Sequence, residues 1–341
     1  MTFHVGIVGT GNISRTHLRA AREVENLKVA AIYGPLTEEA RKLAAEFGAV
    51  AYTDWNSFLD HRPMDFTAIG SPSGLHAGQG IDAARRGLHV LVEKPIDVTV
   101  EKAGALIQIC KGNRRQLGVF FQDRVKTDIL RLRRWIQQGL LGKPLLVSAQ
   151  IRWYRPPEYY AGSDWRGTWA LDGGGALMNQ GIHTVDLLLW LLGPVRWVFG
   201  GTATQLHSIE VEDTVTAVME FANGALGTLE ASTAAYPGYP RRVVISGTEG
   251  TVVLEHDRLV TVDLRHPPED AAPSGEGDSN QSASSAVVSD IRGHRLLLEN
   301  FLQAIQGTAP VCCSGEEGLQ SVALAQAVYA SARSKTAVHL D

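Results

Sequence analysis

The sequence predicts an α/β fold in two parts, a doubly wound parallel sheet followed by an α+β domain with a mostly antiparallel sheet. Three observations predict it. A short apolar run, "FHVGIV" (3–8), enters a glycine turn and then a helix-like segment. Strand-like and helix-like stretches then alternate as far as residue 95, the order of parallel strands joined by crossover helices. Beyond residue 143 strand-like runs follow one another with turns between them, which suits antiparallel hairpins. At 341 residues the chain exceeds one ordinary core, so two domains are expected, residues 1–124 and 125–341.

Composition narrows the partners. A net charge of -4 with 20% charged residues excludes the strongly basic surface that nucleic acids and anionic membranes select, leaving a small molecule as the expected partner. The N-terminal "MTFHVGIVGTGN" lacks a signal peptide's basic start and apolar run, and "VDLLLWLLG" (185–193) is too short to span a bilayer. A cytoplasmic protein is expected. Cys110, Cys312 and Cys313 read as reduced, buried thiols, since neighbouring cysteines rarely bridge.

The first element is the strand 3–8. It runs into "GTGNIS" and the helix-like "RTHLRAAREV", the order a phosphate-binding loop requires. Gly9 permits the tight turn, and Gly11 lets the backbone approach a pyrophosphate at the helix N-terminus. Ser14 replaces the third glycine of the usual fingerprint. Alone, such a loop fits a structural turn as well as a phosphate cradle. Its context favours the cradle: a strand at "LKVAAIY" (27–33), a helix at "TEEARKLAAEFG" (37–48), a strand at "DFTAIGS" (65–71), a helix at "AGQGIDAARRG" (77–87) and a strand at "LHVLVEKP" (88–95). Ligands bind at the carboxyl ends of such strands.

An acidic residue ending the second strand would mark NAD and a basic one a 2′-phosphate. Gly34 stands there instead, and Arg41 and Lys42 read as solvated helix charges. With no phosphate clamp, NAD is expected and NADP stays open. "VLVEKPI" closes the last of these strands. Lys94 there can hydrogen-bond a substrate hydroxyl, and beside a nicotinamide cation its pKa would fall. Pro95 restricts the residue before it and admits a cis bond, which fixes where Lys94 points.

"GTGNIS", "EKP" at the fifth strand and "DGGGALMNQGIH" (172–183) together resemble the glucose-fructose oxidoreductase, inositol dehydrogenase and MocA-like (Gfo/Idh/MocA) family over nearly the whole chain. The resemblance implies a Rossmann domain, a second domain whose large open sheet forms subunit interfaces, a nicotinamide cofactor, and hydride transfer at a secondary alcohol of a sugar or cyclitol. It implies cofactor contacts from Gly9, Gly11, Asn12, Ile13 and Tyr33, from Ser71, Pro72 and His76, and from Glu93, Lys94 and Gln122. Trp165 and Arg166 are implied near the cofactor as well. Lys94, Arg124, Trp153, Tyr154, Asn179 and His183 are the expected substrate contacts, and a homodimer or homotetramer is the expected assembly.

In the second part "TDILRLRRWIQQGLLGKP" reads as an amphipathic helix and "LLVSAQIRW" as a strand. Further strands are read in "RWVFGGTATQLH", "DTVTAVMEFANG", "ALGTLEASTAAY", "RRVVISGTEG" and "TVVLEH". Residues 266–290, rich in Pro, Ser, Gly and acids, read as a mobile surface loop. Two helices, "RGHRLLLENFLQAIQG" and "GEEGLQSVALAQAVYASARS", close the chain. His294, in the first turn of one, reads as structural. The aromatic and arginine-rich stretch 152–175 suits a carbohydrate or nucleotide and equally suits packing.

His183 admits three readings. A metal would need convergent ligands, and Asn179 and Asp186 do not supply them, so none is expected. A core histidine is a serious reading, given "TVDLLLWLLG". Catalysis gains from Asn179 and His183 lying one turn apart on one helix face, and from three glycines that would let substrate or nicotinamide approach the backbone. The resemblance then places His183 across the nicotinamide from Lys94, as the base that takes the hydroxyl proton. Many members of that family carry Asp where this chain has Asn179, which can orient an imidazole but adds no charge. The expectation is an NAD(P)-dependent dehydrogenase of a sugar, sugar derivative or cyclitol. A nucleotide-sugar dehydrogenase and a non-catalytic sugar or cofactor sensor are the alternatives.

Overall fold

The computed structural model describes residues 1–34, 37–274 and 290–340. They fall into two compact units. One is Met1–Gln122 joined by the segment that carries the helix Arg292–Ile305 on to Leu319; the other runs from Asp123 and is completed from Gln320 onward. The segment that carries Arg292–Ile305 joins the first unit because that helix packs on the helix Asn12–Arg22.

The first unit runs β1 (Phe3–Val8), α1 (Asn12–Arg22), β2 (Leu27–Tyr33), α2 (Thr37–Phe47), β3 (Val50–Tyr52), α3 (Trp55–Leu59), β4 (Phe66–Ile69), α4 (His76–Arg85), β5 (His89–Glu93), α5 (Val100–Gly112) and β6 (Leu117–Phe120). All six strands pair in parallel, in the order β3-β2-β1-β4-β5-β6. Strand order reverses between β1 and β4, so the carboxyl ends of these two strands open the crevice where an α/β sheet holds its ligand. β4 and β6 are buried at every residue, as strands covered on both faces must be. β3 and α3 escaped the sequence reading because three and five residues carry too little periodicity. Asp54 caps α3 by accepting from Ser57 N at 2.8 Å.

The second unit contains α6 (Thr127–Gln137), β7 (Pro144–Arg152), α7 (Glu158–Ala161), α8 (Ile182–Leu192), β8 (Val195–Ala203), β9 (Thr214–Phe221), β10 (Leu226–Ser232), β11 (Arg242–Gly247), β12 (Gly250–Glu255) and β13 (Arg258–Leu264). Arg292–Ile305 is α9; α10 (Gly315–Ser334) and β14 (Val338–His339) end the chain. The sheet has eight strands in the order β13-β12-β11-β7-β10-β9-β8-β14, antiparallel except for β7 with β10. Burial alternates along β7, β9 and β10, so one face is a core and the other is open. On the core face Gly200 of β8 approaches Val328 of α10, and its N–H donates to Ser331 Oγ at 3.0 Å.

Most of the loop expected at 266–290 lies outside the described residues. Its first part is anchored on α6: Trp135 Nε1 donates to Asp270 at 3.1 Å, Arg131 donates to Ala272 O at 2.9 Å, and Arg134 pairs with Asp270. Cys110 and Cys313 are buried thiols as expected, whereas Cys312 is partly exposed.

Gly6, mid-strand in β1, leaves room for α3 to press on the sheet. A Cβ there would meet Met64 Sδ and come within 2.7 Å of Phe58 Cζ. Gly6→Ala is expected to cost about 1–3 kcal/mol through overpacking. The urea midpoint measures it, and a midpoint equal to wild type would mean the two side chains move aside freely.

Candidate active site

In the first unit the turn after β1 has the geometry of a phosphate cradle. Gly9 has φ 109°, and a Cβ on it would lie 2.8 Å from Gly70 O, so only glycine lets the turn pass the end of β4. Gly11 forms the N-cap of α1 with no side-chain hydrogen bond, and open space lies where its Cβ would be. Gly11 and Asn12 are exposed and Ile13 half-buried, so the first N–H groups of α1 are left to an incoming anion. Ser14 is buried against Gly9 and Gly70, filling the place of the third glycine. After β6, Gln122 Oε1 is buried without a donor among the described residues, an acceptor suited to an amide or hydroxyl of a dinucleotide.

Lys94 follows β5 in a turn braced from both sides, its peptide bond to Pro95 cis. His76 sets its ring nitrogens 2.8 Å from Pro95 O and 2.9 Å from Ser71 O, tying the turn after Lys94 to the turn after β4. Asp97 accepts from Ala77 N at 2.9 Å, fixing the same segment to α4. His76, an expected cofactor contact, places both ring nitrogens on backbone carbonyls of these two turns.

Glu93 is the hub of the turn. Its Oε1 receives His17 Nε2 from α1 at 2.9 Å and lies 3.3 Å from His294 Nε2 on α9, and its Oε2 accepts Lys94 N at 3.1 Å. His17 stacks on Phe120 with centroids 4.4 Å apart. Burial works to raise the Glu93 carboxyl, but hydrogen bonds and charge from the two histidines outweigh it and hold the pKa well below the usual carboxylate range. His17 is lowered, chiefly by burial, against the upward pull of Glu93. The donor atoms of His17, Glu93 and His294 lie within 4.8 Å of one another, a spacing a metal could also span, but the two contacts to Glu93 are hydrogen-bond distances. Glu93, expected to meet the cofactor, spends both oxygens inside the protein. His294 is structural as expected, while His17 was missed because its partner lies 76 residues away.

Tyr33 packs on Trp55 at 4.9 Å and with it lines a groove of about 580 Å³ that also includes Leu75, Gln79 and Lys102. Ser71 Oγ donates to Gln79 at 2.6 Å. The helix cations near Gly34 are engaged or solvated: Arg15 pairs with Glu39 at 2.7 Å, Lys42 with Glu38 at 3.4 Å, and Arg41 is exposed.

The second unit holds the remaining expected residues. His183, in the first turn of α8, is 7% exposed, and Asn179 sits in a π-helical turn, Ala176–Gly181, that the spacing did not signal. The glycines before them serve a purpose other than the expected one. A Cβ on Gly174 would strike Tyr329 Oη and one on Gly175 would strike Glu212 O, so protein rather than ligand approaches this backbone. Glu212 accepts from Gly175 N at 3.0 Å, Leu177 N at 2.8 Å and Tyr329 Oη at 3.0 Å, locking the turn.

Asn179 Nδ2 donates to Asp172 at 2.5 Å, and its Oδ1 accepts from Gln180 Nε2 at 3.1 Å. Gln180 also accepts from Arg155 at 2.8 Å and donates to Tyr159 Oη at 3.1 Å. Arg166 lies over the Tyr159 ring at 4.4 Å and over Trp165 at 5.5 Å. Trp153 and Tyr154 are half-buried, with Tyr154 edge-on to Tyr236 at 5.3 Å. Arg124, expected at the substrate, is 2% exposed and gives both ends of its guanidinium to Asp186, at 2.8 and 2.7 Å. Asp186 is thereby a structural counter-ion.

Comparison with known proteins joins the two halves. Residues 3–121 match the family described as "Oxidoreductase family, NAD-binding Rossmann fold", and residues 129–253 match the GFO/IDH/MocA C-terminal domain. The WlbA dehydrogenase from Bordetella pertussis, solved in complex with NADH and UDP-GlcNAcA, is 32% identical with a TM-score of 0.91, over 100% of this chain and 98% of that one. The chain belongs to the Gfo/Idh/MocA family. Other members include inositol 2-dehydrogenase of Rhizobium meliloti (strain 1021), 25% identical over 100% of both chains. Levoglucosan dehydrogenase of Pseudarthrobacter phenanthrenivorans is 28% identical over 75% of this chain and 74% of that protein. Like other Gfo/Idh/MocA proteins this one is an NAD-dependent oxidoreductase.

Glu93 sets an acid limit on stability. A carboxyl whose folded pKa is depressed contributes stability above its unfolded value and loses it as pH falls through the folded one. Glu93→Gln is expected to cost about 1.5–3 kcal/mol at pH 7, and its urea midpoint should fall less steeply than wild type's below the ordinary glutamate pKa of 4.5. Parallel slopes would mean that Glu93 is not ionised in the fold.

Proposed function

We propose that the protein oxidises a secondary hydroxyl of a sugar, sugar derivative or cyclitol, or reduces the matching ketone, with NAD. The observation that carries the reading is Lys94, fixed at the carboxyl end of β5 by Glu93, His76 and Asp97, in the unit whose β1–α1 turn fits a pyrophosphate. Gly9, Gly11, Asn12, Ile13 and Gln122 would hold the dinucleotide. Bound NAD supplies a hydride acceptor. Lys94 donates a hydrogen bond to the hydroxyl oxygen and stabilises the charge that develops on it. His183 takes the hydroxyl proton as general base. Trp153, Tyr154 and Asn179 are substrate-side residues in this reading, and Arg166 with Trp165 is a cofactor-side pair.

A nucleotide-sugar substrate is the second reading, favoured by the 32% identical neighbour solved with UDP-GlcNAcA and by the buried Arg155 and the Arg166 guanidinium, which suit anionic groups. Two further proposals follow. The open sheet face carries Leu146 opposite Leu226 and Phe199 opposite Val218, all exposed, and a second copy of the chain is the partner that would cover them. A cytoplasmic setting suits three unbridged cysteines.

Inositols, hexoses, anhydrosugars and UDP-sugars, each with NAD and NADP, are to be assayed by reduced-nicotinamide absorbance. Lys94→Ala and His183→Ala should each lower kcat/KM by about 10²–10⁴-fold with NAD binding retained, and near-full turnover in either would sink its role. NAD is expected to exceed NADP in kcat/KM by about tenfold or more, since Gly34 rather than a basic residue follows β2. Light scattering should show an oligomer that Leu146→Glu weakens, and a wild-type monomer would refute the sheet as interface.

A further inference from the structure

His183 has a buried carboxylate beside it that its own helix does not provide. Asp123, two residues past the Phe121 that follows β6, is 5% exposed, and its Oδ2 lies 3.8 Å from His183 Nδ1. Burial alone would raise its carboxyl. Lys126 at 2.6 Å, Arg241 at 2.8 Å and His183 outweigh burial and hold the pKa well below the usual carboxylate range, so Asp123 is an anion at neutral pH.

Asp123 faces the imidazole from within a cluster of charges. Lys126 and Arg241 are shared with Asp257 in the turn between β12 and β13, so two cations answer two carboxylates. On α8, Asp186 is taken up by Arg124. Arg241 also donates to Thr184 Oγ1 at 3.3 Å. His256, beside the same cluster, is lowered by burial and then by Lys126 and Arg241. Asn179 adds no charge and is already engaged by Asp172 and Gln180.

We propose that Asp123 is a positioning residue for His183: its carboxylate faces Nδ1, leaves Nε2 as the proton-accepting nitrogen, and stabilises the imidazolium formed when His183 takes a proton. The proposal rests on the reading of His183 as the base. The device sits outside the helix that carries the histidine, on the segment that leads into α6, so the charge is supplied in space rather than by a neighbour in sequence.

The test reads the histidine itself and needs no substrate. In protein carrying ¹³C-histidine, the His183 ring signal is assigned by its loss in His183→Gln and titrated by NMR. In Asp123→Asn its midpoint should fall by about 1–3 pH units, since an anion within ion-pair distance is lost while Lys126 and Arg241 remain. Lys126→Met, at a partly exposed position that leaves the core intact, should move the midpoint the other way. An unchanged midpoint in Asp123→Asn overturns the proposal. Should that variant not fold, an unchanged or lowered midpoint in Lys126→Met overturns it. If a sugar is turned over, the acid limb of kcat/KM should follow the NMR midpoint. Full turnover by His183→Gln would instead defeat the catalytic reading while leaving the midpoint to report on Asp123, so the two failures are distinct.

Discussion

A carboxylate sealed inside a protein must be answered by donors, and Glu93 imposes that demand on the first unit. Its answers come from α1 through His17, from α9 through His294 and from the backbone of Lys94. Three pieces of chain distant in sequence are thus fixed to one atom pair at the end of a central strand. The glycine turn before α1 and the lysine after β5 inherit their placement from it. Removing one partner of such a buried set leaves the others desolvated and unsatisfied, which is why the cost exceeds that of an ordinary surface bond.

The second unit uses the same physics with other groups. Glu212 gathers two backbone N–H groups and a tyrosine hydroxyl around the Gly-rich turn, and burial raises its carboxyl despite those bonds. The crowding of Glu212 and Tyr329 is the reason side chains are excluded at 174 and 175. His183 therefore starts its helix from a turn with little freedom to shift. For the base proposed at His183 such rigidity would be an advantage, because reorganisation during proton transfer adds to the barrier.

What could be read from the sequence was what depends on local chain geometry. Gly9 and Gly11 declare a tight turn into a helix, which at Gly9 only glycine can make, and the alternation of apolar residues declares the strands of the second sheet. The tripeptide ending in Pro95 marked Lys94 for the same reason. Long-range partnerships left no such mark. His17 looked like any residue of an amphipathic helix, and Asp123 looked like an acid beside Arg124; their partners lie 76 and 60 positions away. Arg124 stands beside a predicted site, and its pairing with Asp186, 62 positions on, was equally unmarked. The run of glycines was visible, yet the reason for Gly174 and Gly175 lay in Tyr329 and Glu212, beyond any local pattern.

The first unit is not one continuous piece of chain, since α9 returns to it after strands β7 to β13 of the second unit have been made. As the chain is synthesised, Phe66 and Phe120 must therefore wait for Phe301 and His294, and Glu93 lacks one of its donors until then. The dinucleotide-binding half cannot be transplanted as a cassette cut at residue 124. A recombination that respects this architecture needs three junctions, one after Gln122, one before α9 and one after Leu319, so that α9 travels with the first unit and the chain from Gln320 onward with the second.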